Sequence, residues 1–226
     1  MKKGIVFYSE MAYIAGIALL AFGTALMAKS DFGMSMVVAP AYLLHLKISP
    51  AVSWFTFGAA EYILQAVLII ALSCLLKRFK KHYLFSFVTA VIYGVVLDLC
   101  MKAVSFLTPG FPVRAVLFVS GMLLCTLGIA FLFHTYIAPE AYELVVKEIS
   151  DTYHLDSGRV KTVYDVTSCL ISVVLSFVFF SRLEGIKAGT FVCTLFNGWL
   201  IGRFDHLLSS FLTFKDAFAL RRYFEE

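Results

Sequence analysis

Apolar runs of about 18 residues or more recur along the whole chain, each long enough for a helix to cross the hydrocarbon core of a bilayer. Of the 226 residues, 61% are hydrophobic and only 15% charged, against about a quarter charged in an ordinary soluble domain. A chain of this kind must satisfy its backbone polar groups inside helices. The expected fold is therefore all-α: a polytopic membrane protein of one domain, 1–226. Six spans can be read, at residues 11–29, 51–76, 84–107, 114–136, 160–183 and 188–212. Lys2 and Lys3 before an apolar run resemble a signal peptide. That run is long, however, and Leu26 would occupy the −3 position if Ala28 were −1, so a retained first helix is expected.

Loop charge sets the expected orientation. With both termini cytoplasmic, twelve Lys and Arg fall inside, among them the basic loop of Lys77, Arg78, Lys80 and Lys81, and six fall outside. The positive-inside rule favours that arrangement. The formal charge of +4 thus speaks to topology and not to nucleic acid. Cys74, Cys100, Cys125, Cys169 and Cys193 all sit in apolar segments with no C-x-x-C pair, as small buried hydrophobes do.

Two segments do not span. The first, 32–46, is apolar but is opened by Gly33 and interrupted by Pro40. Pro40 can begin a short helix over 39–47. That helix either re-enters the bundle to line a polar cavity or lies at the interface. The second, 137–155, is amphipathic: Ala141, Leu144, Val145 and Ile149 form one face, and Glu143, Lys147, Glu148 and Asp151 the other. A helix of this pattern over 139–154 is expected to lie along the membrane surface, open to a partner, with Glu140 and Glu143 at the positive end of its dipole.

The two segments share anchors. Ala39-Pro40 and Ala41-Tyr42 match Ala138-Pro139 and Ala141-Tyr142, with one residue inserted. Downstream, Glu61 and Asp165 each precede a glycine by thirty-three residues, Gly94 and Gly198. A three-span unit used twice enters the membrane from opposite sides. The chain then reads as two inverted three-helix repeats, about 8–107 and 114–212, with two short proline-led helices and a cytoplasmic tail over 213–226. Proline-interrupted segments at matching positions of such halves point to where secondary transporters bind substrate.

Polar groups at membrane depth need a reason. Glu61 shares a helix face with Gln65 and has no local base. It is either a protonated, hydrogen-bonded carboxyl or a proton or cation relay. Asp165 pairs with Lys161 one turn back or serves function. Asp98 and Lys102 are spaced to pair near the outer surface. Asn197 is a neutral amide within the last span. Arg203 either meets an anion or snorkels to the interface. Gly198 and Gly202 form G-x-x-x-G, a close-packing face. His134 stands alone and is not read as a metal ligand. No G-x-x-x-x-G-K-[ST], G-x-G-x-x-G or H-E-x-x-H occurs. Val163-Tyr164-Asp165 is similar to the first aspartate motif of intramembrane aspartyl proteases, but their second, G-x-G-D, is missing.

The chain resembles the YczE/YyaS/YitT family of bacterial multi-pass membrane proteins over most of its length. The likeness rests on Ala39-Pro40, on R-V-K-x-x-x-D (Arg159, Val160, Lys161, Asp165), and on the G-T pair with a later glycine (Gly189, Thr190, Gly198). Pro40-Ala41-Tyr42 stands where YczE-like members carry P-W-D, and a soluble C-terminal domain of the YitT type is lacking. The resemblance implies the bacterial inner membrane and a transporter-like role. The expectation is a secondary transporter or exporter of a small solute, with coupling to protons left open. No enzyme activity, cofactor, metal or nucleic-acid partner is expected, and a homo-oligomer is compatible with the chain. Its substrate or ion site would take Pro40, Tyr42, Glu61, Gln65, Asp165, Asn197 and Arg203. The alternative is a non-transporting membrane accessory or scaffold.

Overall fold

A computed structural model describes residues 5–155 and 157–218. Among these it holds eight helices and two short strands. In order they are β1 (Ile5–Tyr8), α1 (Ser9–Ser30), α2 (Ala39–Ile48), α3 (Phe57–Leu76) and α4 (His82–Val104). There follow α5 (Phe111–Leu132), α6 (Ala141–Tyr153), α7 (Ser157–Phe180), α8 (Ala188–Phe211) and β2 (Leu212–Lys215). Five of them, α1, α3, α4, α5 and the Arg159–Phe180 part of α7, are long and apolar enough to cross a membrane. The polar Asn197, Arg203, Asp205 and His206 keep α8 out of that class, although it has 24 residues.

Side chains are distributed as they are in lipid. Ile14, Ile70, Leu99, Val116, Leu170 and Leu195 point outward, while Glu61, Gln65, Thr89, Glu140 and Glu148 are buried. The chain is a multi-pass membrane protein.

Glycines decide which helices approach closely. A Cβ on Gly16 would stand 3.0 Å from the Gly128 carbonyl oxygen, and one on Gly23 would stand 2.6 Å from that of Gly121. Rising numbers on α1 meet falling numbers on α5, so the two helices run antiparallel with backbones in contact. Gly58 and Gly94 bring α3 against α4 in the same way. Helix α1 also packs on α4, and α5 on α8. Helix α2 packs on α3 and α7, and α6 packs on α3, α4 and α7.

Several expectations need correction. The second span starts six residues late, because Thr56 accepts from the Ala59 amide at 3.1 Å and caps α3 there. Asp98 does not pair with Lys102. Its carboxylate accepts from Thr56 Oγ1 at 2.5 Å and from the Gly58 amide at 2.8 Å, closing the open amides of the α3 N-terminus. Gly198 and Gly202 are not a packing face among the described residues, since a Cβ added at either would meet nothing within 4 Å beyond its own helix.

Helix α6 does not lie along the surface. Ala141, Tyr142, Leu144, Val145, Val146, Glu148 and Ser150 are buried, against Ile69, Leu72 and Tyr83 of α3 and α4. Its apolar face is taken by protein and not by lipid. Helix α2 meets its expected start at Ala39 and runs one residue further than expected, to Ile48. Gly33, with φ of +114°, turns the chain into it. The α2 N-terminus is closed by its own turn, the Val38 and Ala39 amides both donating to the Ser35 carbonyl.

The chain ends meet. β1 and β2 pair in parallel, from Ile5 opposite Leu212 to Tyr8 opposite Lys215. Glu10 receives the Ala217 and Phe218 amides and the Tyr136 hydroxyl. Of the expected tail, residues up to Lys215 therefore belong to this pairing. Lys2, Lys3, Arg221 and Arg222 lie outside the described residues.

Candidate functional site

The polar interior is built around the start of α6. After α5 the chain turns back into the bundle as irregular backbone, which is tolerated at membrane depth only if its polar groups find partners. Hydroxyls of α4 supply them: Thr89 Oγ1 donates to the Ala138 carbonyl at 2.9 Å, and Ser86 Oγ donates to that of Pro139. Tyr13 of α1 donates in turn to Thr89 at 3.0 Å. Helix α6 then begins with no cap of its own. The acceptor comes from another helix, as the Ala141 amide donates to Gln65 Oε1 at 3.1 Å.

Glu61 lies one turn from Gln65 on α3, and both are fully buried. Glu61 Oε2 accepts from the Tyr142 hydroxyl at 2.7 Å and, at 3.5 Å, from Gln65 Nε2. Its other oxygen, Oε1, is buried without a hydrogen-bond partner, as is Oε1 of Glu140. Tyr93 of α4 covers the same space and donates to Thr24 of α1 at 3.0 Å. Burial, and then the nearby Glu61 and Glu143, hold the Glu140 carboxyl well above the usual carboxylate range, with Lys161 opposing.

The bases near α6 are engaged with other acids. Lys161 Nζ reaches Glu143 at 2.8 Å and Asp165 at 3.6 Å. At the far end of α6, Glu148 takes Lys80 at 2.7 Å, Arg78 at 3.3 Å and His82 at 3.3 Å, and accepts from the buried Tyr83 hydroxyl at 2.9 Å. Burial pushes the Glu148 carboxyl up, but these donors and charges outweigh it and hold it below the ordinary carboxylate value. The latch is therefore complete above that ordinary value and is lost as pH falls through the depressed one. Glu148→Ala leaves the Tyr83 hydroxyl buried without its acceptor. It is expected to cost roughly 1–3 kcal/mol and to remove that acid dependence, read by thermal unfolding of wild type and variant down an acid series.

Of the expected site residues, Glu61 and Gln65 are the ones that hydrogen-bond directly to α6 among the described residues. Asp165 stands with Lys161 on α7. Pro40 is buried at the start of α2, and the Tyr42 ring lies 5.2 Å from that of Phe57. Burial, with Asp31 and Glu184 nearby, pushes the Tyr42 phenol up to about 12, so it stays neutral. Asn197 is on α8, its buried Oδ1 without a hydrogen-bond partner. Arg203 is exposed, its guanidinium 5.3 Å from the Trp199 ring centre. His134 stacks on Phe214 at 4.0 Å and lies 3.1 Å from Asp205.

Glu140 and Tyr142 were missed as site residues. The shared Ala-Tyr anchor marked Tyr142. Glu140 looked like an ordinary acid in a first helical turn, and only the fold shows that this turn is deep in the bundle.

A family model described as "Family of unknown function (DUF6198)" matches residues 7–206. No curated protein matches the chain, and no solved structure matches it.

Proposed function

The chain belongs to the DUF6198 family, whose function is unknown, and we propose from its own geometry that it is a secondary transporter of a small solute. Its coupling acid is Glu61. The observation that carries this reading is the half-length helix α6, whose N-terminus meets a buried carboxyl, an amide and two tyrosines inside the bundle. Discontinuous helices that end at buried polar groups are the usual substrate and ion sites of such proteins.

An inverted repeat supports it. A separation of 105 residues carries Gly16 to Gly121 and Gly23 to Gly128, close to the 104 that carry Glu61 to Asp165 and Gly94 to Gly198. Each glycine of α1 meets the repeat mate of the other across α5, as a twofold axis between the two helices requires. The same exchange turns α1 on α4 into α5 on α8, and α2 on α3 and α7 into α6 on α7 and α3. The symmetry is broken at α7 and α8, which do not pack along one another as α3 and α4 do. Thr162 stands there in the place of Gly58.

Six crossings are supported by the chain ends. β1 leads into α1, β2 leaves α8, and the two strands are hydrogen-bonded. On this reading both ends share one side of the membrane and the crossings are even in number, with α8 as the sixth. Reporters that fold on only one side of the membrane, fused at either end, are expected to read the same compartment, the cytoplasm by the loop charges. Opposite readings would remove the repeat. Kinship with the YczE/YyaS/YitT family and placement in a bacterial inner membrane are part of the same proposal, as is the absence of enzyme chemistry.

Flux in proteoliposomes, with and without Glu61, tests the function. The second reading, a non-transporting accessory protein, is favoured by the sealed interior: Glu61 and Gln65 have no exposed surface. Absence of any flux from reconstituted wild-type protein would select it.

A further inference from the structure

Three glutamates of the α6 segment face the protein, and two of them have a base. Glu143 has Lys161, and Glu148 has Lys80, Arg78 and His82. Glu140 has no salt-bridge partner among the described residues. It is one residue from the amide that Gln65 holds and two from the tyrosine that Glu61 holds, which sets it at the depth of Glu61. Each of the two acids keeps a buried Oε1 with no hydrogen-bond partner.

The groups facing the pair are Tyr13 of α1, Tyr93 of α4, Cys125 of α5, Tyr142 and Glu143 of α6, and Lys161 and Tyr164 of α7. Lys161 is the one base among them, and it is held by Glu143 and Asp165. Two carboxylates cannot both stay charged in such a place without a cation.

We propose that Glu61 and Glu140 form one binding site for a small monovalent cation, in which Na⁺ on one carboxylate replaces one of two protons. The available ligands are hard oxygens: the two free carboxylate atoms, with the Tyr142 phenol and the Gln65 amide oxygen beside them. Oxygen donors suit a hard cation. Among the described residues no group of three or more His, Cys, Asp or Glu could hold a metal ion, so a multi-ligand transition-metal site does not compete. The site rests on the reading of this cluster as the transporter's working centre, and adds Glu140 and the identity of the ion.

The test is thermal unfolding of the detergent-purified full chain in NaCl and in choline chloride at equal ionic strength, across the neutral to alkaline range. A ligand that binds only the folded state raises the midpoint by mass action. Na⁺ is expected to raise it, and the Na⁺ concentration for half the effect is expected to fall about tenfold per pH unit while one proton is displaced. In Glu140→Gln, with Glu61 intact, the Na⁺ effect is expected to vanish. Identical curves in the two salts at every pH would overturn the site, as would a Na⁺ effect that survives Glu140→Gln. If that variant fails to fold, the wild-type comparison still decides. Because no flux is measured, a missing Na⁺ effect beside Glu61-dependent flux removes the cation site alone. Na⁺ binding without any flux removes only the transport reading.

Discussion

Replacing Glu61 by Gln is expected to leave the chain folded and, on the proposed transport function, to stop proton movement through it. Gln has the same shape and keeps a carbonyl oxygen to accept the Tyr142 hydroxyl, which Glu61 Oε2 now accepts at 2.7 Å. A neutral amide is also cheaper to bury than a carboxylate. What it loses is the exchangeable proton. In proteoliposomes holding a trapped pH indicator under an imposed gradient, flux is expected to fall on the order of a hundredfold, the scale at which a positioned proton-carrying side chain contributes. Asp165→Asn separates this from a general loss of acid. Asp165 is paired with Lys161 on α7, a base that Glu61 lacks, so flux is expected to persist in that variant. Flux with unchanged pH dependence in Glu61→Gln would remove Glu61 from the mechanism.

Gly23→Leu is expected to lower stability sharply. The first atom added would lie 2.6 Å from the Gly121 carbonyl oxygen and 2.7 Å from Cys125 Sγ. Backbone cannot swing aside as a side-chain tip can, so α1 and α5 must separate. Overpacking of this kind costs about 3 kcal/mol, the upper end of the usual range, which lowers the unfolding midpoint by on the order of 10 °C in a chain this long. Gly198→Leu is the control, because a Cβ added at Gly198 would meet nothing within 4 Å beyond its own helix. A midpoint unchanged in Gly23→Leu would mean that α1 and α5 are not in backbone contact.

Span positions were legible because run length is a one-dimensional property, and five of the six expected spans return as long apolar helices. Pro40 marked the start of α2 to the residue. The amphipathic pattern of α6 was legible too, but a periodic apolar face says only that something covers it. Here the cover is α3 and α4 in place of lipid. Asp98 shows the same limit. Spacing made Lys102 its natural partner, yet the Gly58 amide and the Thr56 hydroxyl at the start of α3 take the carboxylate, and their position is a fact of tertiary structure. The glycines show how a motif can mislead: G-x-x-x-G in α8 faces open space, while Gly16, Gly23, Gly121 and Gly128, seven apart in each pair, bring α1 and α5 into backbone contact. Asn197 and Arg203 were polar residues at plausible depth, and only the direction of α8 separates them from Glu61.

Helix α6 is tethered at its two ends by bonds of different kinds. Deep inside, an uncharged amide of Gln65 holds it; at the rim, Lys80, Arg78 and His82 grip Glu148. Added salt weakens the second tether and leaves the first untouched. The helix is thereby held by a neutral bond at its first residue and by ion pairs at Glu143 and Glu148, and the ion pairs are what answers to ionic strength.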